Sequence, residues 1–174
     1  EYALSQATNG AVFRDPPGSF SRIREQLLLG YPRDVKLKKI AARAALMAQS
    51  GQYNYRRCLD HGEQEAAALS LQEFSGHCLA MLFLLNDTYM PYYKWQFRLL
   101  RELPFCRREA EALSELILRG PLKEGTGERV EEICRGVGEA LLEQGLSDST
   151  SDFLEAHGRS VTERIRDGRI RNMH

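Results

Sequence analysis

The chain has 174 residues, enough for one domain or one domain with a small extension. Lys plus Arg equals Asp plus Glu at 24 each, so there is no overall basic bias, which argues against a dedicated nucleic-acid binder whose affinity rests on phosphate neutralisation. No apolar run approaches the roughly 20 residues that cross a bilayer, and the start Glu1-Tyr2-Ala3-Leu4-Ser5 lacks the basic end of a signal peptide. A cytoplasmic protein without membrane contact is the expectation. Cys58, Cys78, Cys106 and Cys134 never form Cys-x-x-Cys, so reduced and mostly buried thiols are expected rather than a zinc site or a disulfide scaffold.

Residues 1–18 mix Gly10, Pro16, Pro17 and Gly18 with Val12 and Phe13, and read as an extended arm rather than a helix. From Ser19 helical signals dominate. Ile23, Leu27 and Leu28 recur at helix spacing behind Ser19 or Ser21 as N-cap, and Gly30-Tyr31-Pro32 stops that helix. Asp34 is expected to cap the next, from Val35 to Ser50, with Leu37, Ile40, Ala41, Ala44, Met47 and Ala48 on one stripe and Gly51 ending or kinking it. The longest helix should run from about Glu63 to Asp87, apolar nearly all round at its end, as suits the middle of a bundle.

After Pro91, helices are expected over Tyr92 to Glu102 and over Cys106 to Arg119 with Leu113, Leu116 and Ile117 inward. A further helix over Glu128 to Gln144 should bury Val130, Ile133, Val137, Leu141 and Leu142, and a last one holds Phe153, Leu154, Val161 and Ile165. No window alternates with period two, so the fold class is all-α, an up-and-down bundle with additional helices. Residues 19–174 form the bundle domain. The basic end, Arg164 to Arg171, reads as a solvated helix terminus.

The stretch Phe83 to Trp95 sets Asn86, Tyr89, Pro91, Tyr92, Tyr93, Lys94 and Trp95 after a buried-looking apolar run. Tyr and Trp pair an apolar body with a polar tip, and Pro91 fixes a turn that would bring them together. Asn86 either ties the loop down or faces a ligand, because a buried amide needs partners. Trp95 reads as a core anchor. Tyr53 and Arg57 lie four apart and share a helix face, as do Asn54 and Arg57, where Arg could hold a phosphate and Tyr could stack. The candidate substrate- or nucleotide-binding set is therefore Tyr53, Asn54, Arg57, Asn86, Tyr89, Tyr92 and Lys94, expected to line one shared hollow.

Two other patterns carry little. Arg56 and His61 have the Arg-x4-His spacing of some helical ribonucleases, but Arg57 stands where those enzymes prefer a polar neutral residue. Gly18-Ser19 resembles the opening of a nucleotidyltransferase site, yet no Asp-x-Asp follows, so a two-metal phosphoryl-transfer site is absent from these residues.

Ala7 to Asp15, Tyr31-Pro32-Arg33-Asp34-Val35, Gly51 to Arg57, the Phe83–Trp95 corner, Phe153 to His157 and Ile165-Arg166-Asp167 together resemble domain-of-unknown-function family forty thirty-seven. The resemblance implies a helical domain that follows a polymerase-β-like nucleotidyltransferase head, similar in layout to aminoglycoside nucleotidyltransferases. It implies that residues 1–18 link to that head, that the metal-binding carboxylates lie on the head, and that the intact protein uses Mg²⁺ and an NTP to modify a hydroxyl-bearing small molecule. On that reading the chain is the substrate-binding half, with no catalytic or metal residue and no cofactor of its own, and Arg57 and Lys94 contact phosphate or an anionic acceptor. The alternatives are a non-catalytic interaction module that dimerises or docks through the aromatic corner, and an Arg-x4-His ribonuclease with Arg56 and His61 meeting across a homodimer cleft.

Overall fold

The computed structural model describes residues 1–173 and holds no strand among them. The first helix corrects the reading of residues 1–18 as an extended arm. Tyr2–Thr8 is α1, and only residues 9–18 lack helix. Seven residues are too few to hold a helix alone, and tertiary partners supply what propensity does not. The Arg24 guanidinium donates to the carbonyls of Thr8 and Gly10 at 2.8 Å each, closing the end that the helix leaves unsatisfied. Lys39 pairs with Glu1 at 2.7 Å.

Helix α2 covers Ser19–Leu28. Its cap is neither Ser19 nor Ser21. The Asp15 carboxylate reaches across Pro16-Pro17-Gly18 to accept the Ser21 N–H at 2.8 Å, and that backbone bond holds its pKa below the usual carboxylate range. Helix α3 is Arg33–Met47 and buries Leu37, Ile40, Ala41, Ala44 and Met47 as its stripe predicts. Asp34 serves a distant segment instead of its own helix. It accepts from the N–H groups of Arg166 and Asp167 at 3.0 and 2.8 Å, which fastens the C-terminal turn α10, Gly168–Arg171, to the start of α3. Part of the basic end is thereby engaged, with Arg171 donating to the Ile165 carbonyl.

Gly51 does not end the second long helix. The chain continues as a π-helical stretch over Ala48–Tyr55 and then as α4, Arg56–Asp60. Gly51 is what allows this. A Cβ there would lie 2.3 Å from the Phe74 ring and 2.9 Å from Val130, so the wide turn is packed flush against its neighbours.

Helix α5, Gln64–Leu85, runs through the middle and buries Phe74, Cys78 and every residue from Leu79 to Leu85. By length and composition it could cross a membrane, and within the bundle most of its apolar window is covered by protein. The helix expected over Tyr92 to Glu102 is a 3₁₀ turn at Tyr93–Trp95 followed by the short α6, Gln96–Leu100. Helix α7, Arg107–Arg119, buries Leu113 and Leu116, but Ile117 faces solvent at 45% exposure. Helix α8, Thr126–Glu143, buries Val130, Ile133, Val137 and Leu141, while Leu142 is exposed. In both, a residue next to the buried stripe lies about 100° off its centre, so adjacency does not bring burial. Helix α9, Leu154–Glu163, packs closely on α3 at Gly158, where a Cβ would sit 2.9 Å from the Ala41 carbonyl.

Candidate functional site

The corner after α5 is built by backbone pairing. The Asn86 amide donates to the carbonyls of Leu82 at 2.8 Å and Phe105 at 3.2 Å, and its oxygen accepts the Phe105 N–H at 2.9 Å. Asn86 therefore clamps the loop before α7 onto the end of α5, with its amide donors and its oxygen all engaged by backbone. Asp87 follows with φ +50°, a left-handed residue that Asp tolerates better than bulkier types. Tyr89 is buried, stacks edge-on against Tyr31 at 4.7 Å and donates to the Leu27 carbonyl at 3.0 Å. Burial pushes the Tyr89 phenol pKa upward, so it stays a donor. It ties α2 to the corner.

Beyond Pro91 the rings turn outward. Tyr92 packs at 4.6 Å on Tyr93 and at 6.0 Å on Tyr2 of α1. Trp95 is 55% exposed, which corrects its reading as a core anchor, and the Arg98 guanidinium lies 5.9 Å over its ring. Between this aromatic wall and α1 runs a groove of roughly 740 Å³, lined on one side by Tyr92, Trp95, Arg98 and Glu102 and on the other by Ser5, Gln6, Thr8 and Asn9, with Tyr89, Pro91, Leu28 and Leu99 among its apolar lining. That size suits a small-molecule site.

The seven candidate residues do not share one hollow. Tyr89 and Tyr92 line the groove; Asn86 is committed to the loop. Lys94 is exposed on the 3₁₀ turn and lies outside the groove lining. Tyr53, Asn54 and Arg57 lie outside that lining too, around the start of α5. Glu63, just before α5, donates to the Cys58 carbonyl of α4, whereas the corner follows the last residue of α5. The 22 residues of that helix span about 33 Å at 1.5 Å each. Arg57 is exposed and donates to the Tyr53 hydroxyl at 3.0 Å while lying 5.7 Å over its ring, so the two side chains pair with each other on the surface. A separate cleft of about 520 Å³ near it is lined by Tyr55, Arg56, Asp60, Lys123, Thr126 and Glu128 among others. Arg56 lines that cleft and His61, exposed at the end of α4, does not.

The sequence reading missed Trp95, Arg98 and Glu102 as site residues, and the polar face of α1. A signal was present. Trp95, Arg98, Leu99 and Glu102 are spaced i, i+3, i+4, i+7 and so fall on one helical face. Among the described residues no three His, Cys, Asp or Glu side chains gather as metal ligands, so the Mg²⁺ implied by the resemblance has no matching donor set in these residues.

The model of the family Domain of unknown function (DUF4037) matches residues 1–96, more than half of the chain. The chain belongs to that family. The DUF4037 match takes in α1, the π-helical stretch, all of α5 and the aromatic corner, so every groove residue up to Trp95 falls within it. The motifs at Phe153–His157 and Ile165–Asp167 lie beyond the matched residues. No curated protein and no solved structure matches the chain.

Proposed function

We propose that the chain is the helical, ligand-binding half of a nucleotidyltransferase-like protein, and that the groove between α1 and the aromatic corner seats the acceptor. The observation that carries this is the exposed aromatic wall. Tyr92 and Trp95 keep about half their surface open beside a concavity of roughly 740 Å³, whereas a chain with core space for large rings ordinarily buries them. The groove is also rigidly built, through the Asn86 clamp and the Tyr89–Leu27 bond, and a pre-formed site loses less on binding. The nucleotide and its metal belong, on this reading, to the head implied by the resemblance.

The test is substitution in the intact protein. Tyr92→Ala and Arg98→Ala should each weaken acceptor binding and transfer, while Arg57→Ala and Lys94→Ala should leave both near the wild-type level. Wild-type behaviour of the first pair would refute the proposal. A second reading, an interaction module, is favoured by one observation: α2 buries no residue and leaves Phe20, Ile23, Leu28 and Leu29 exposed. Phe20→Ser with Ile23→Ser, followed by sedimentation analysis of the intact protein, measures whether that face holds a partner.

A further inference from the structure

We infer that the groove takes an uncharged, polyhydroxylated ring, a saccharide or cyclitol, rather than a phosphorylated or otherwise charged ligand; this rests on the groove being the acceptor site. The charge of the lining decides it. Arg98 and Glu102 are the only ionic side chains there, one of each sign, so a polyanion would meet one cation already drawn over the Trp95 ring and one carboxylate that repels it. Phosphate sites gather several cations, and this lining has one.

What it has instead is a flat aromatic surface opposite neutral hydrogen-bonding groups. Trp95 and Tyr92 are each about half exposed, and the surface that Arg98 over Trp95 and Tyr93 beside Tyr92 leave uncovered is where the C–H face of a saturated ring can pack with its apolar side desolvated. Across the groove, Ser5 and Gln6 of α1 line the opposite wall. Among the described residues the Ser5 hydroxyl and the exposed Gln6 amide enter no side-chain hydrogen bond, unlike Thr8, whose hydroxyl donates to the Leu4 carbonyl at 2.9 Å. An amide offers donors and an acceptor together, which matches hydroxyl groups that both give and accept. Glu102 and Arg98 can frame a vicinal diol, the carboxylate accepting from one hydroxyl and the guanidinium donating to the next. A nucleobase could stack on the same rings, so stacking alone does not select the ligand; the neutral amide and hydroxyl wall does.

Trp95 is the only tryptophan in the chain, so its emission reports this groove alone. The full 174-residue chain is titrated with a panel of neutral mono- and disaccharides and cyclitols, with nucleosides, and with sugar phosphates. At least one member of the saccharide and cyclitol set should shift or quench the emission saturably, with its phosphate ester weaker by about tenfold. Gln6→Ala and Tyr92→Ala should each weaken that binding by about tenfold, and Tyr53→Ala should leave it unchanged. Saturable binding by nucleosides or phosphorylated sugars alone would overturn the inference and leave the groove as a ligand site. No response from any class would overturn both.

Discussion

Adding one methyl group at two glycines of this chain should move stability in opposite directions. Gly51 sits in the π-helical stretch, where a Cβ would stand 2.3 and 2.8 Å from two carbons of the Phe74 ring and 2.9 Å from Val130. Carbon atoms in favourable contact lie about 3.5–4.0 Å apart, so the ring would have to retreat by more than about 1 Å. Phe74 is fully buried and has nowhere to go. Overpacking of this kind costs about 1–3 kcal/mol and sometimes more, against a helix-propensity gain of about 0.5–1 kcal/mol. A 2.3 Å approach takes the upper end of that cost, so Gly51→Ala should be destabilised by roughly 2 kcal/mol net, a fall of several degrees in Tm for a chain of this size. Gly76 lies in α5 with nothing within 4 Å of its added Cβ, so Gly76→Ala should gain up to about 1 kcal/mol. Urea unfolding of both variants, with the wild type alongside, reads the difference directly. Equal shifts of the same sign, or Gly51→Ala within about 0.5 kcal/mol of wild type, would refute the packing argument for the π-helical stretch.

Four further outcomes follow from named contacts. Asn86→Ala removes three backbone bonds at the corner and should cost about 1–3 kcal/mol in chemical denaturation; an unchanged midpoint would mean the clamp does not hold the loop. The His77 ring accepts at Nδ1 from Arg43 at 3.0 Å, and burial first, then the Arg43 charge, lowers its pKa from 6.5; its NMR titration should lie below that value and rise in Arg43→Gln. Because the folded pKa is the lower one, this histidine favours the folded state fully above the ordinary value and progressively less as pH falls through the window beneath it. Asp34, held low chiefly by the Asp167 N–H and then the Arg166 N–H, supports the fold above the usual carboxylate pKa and loses that support as pH drops through its own. Asp34→Asn should thus flatten acid unfolding below about pH 4, measured by circular dichroism. Cys78 and Cys134 are buried and the Cys106 thiol is pushed up to about 12 by burial, so a thiol reagent at neutral pH should modify Cys58 first; Cys58→Ser that leaves the fast phase intact would contradict this.

The all-helical class was legible in the sequence because period-3.6 stripes such as Leu37, Ile40, Ala41 and Ala44 map directly onto burial. The long central helix was equally plain from its continuous apolar run. What escaped depends on contacts between residues far apart in the chain. Helix α1 exists through Arg24 and Lys39, and Asp34 and Asp15 cap segments other than those they adjoin. Local signals cannot report such partners. The candidate site shows the same division. The aromatic corner was recognised as a surface feature from its mixture of rings, Asn and Pro, and Tyr92 does line an open groove. The joining of Arg57 to that corner failed because α4 meets the start of α5 while the corner follows its end, and none of Tyr53, Asn54 and Arg57 lines the groove. Trp95 was misread because burial statistics for lone tryptophans ignore local backbone, and here the ring sits at the end of a surface 3₁₀ turn and stays about half exposed.

The most direct test of the groove as the ligand site is a proton–nitrogen correlation spectrum recorded while neutral saccharides and cyclitols are added to the chain. The indole N–H of Trp95 gives one isolated signal, and the account requires that signal to move together with the amides of Gln6 and Arg98. Movement of the Tyr53–Arg57 amides with the Trp95 indole unmoved would contradict it.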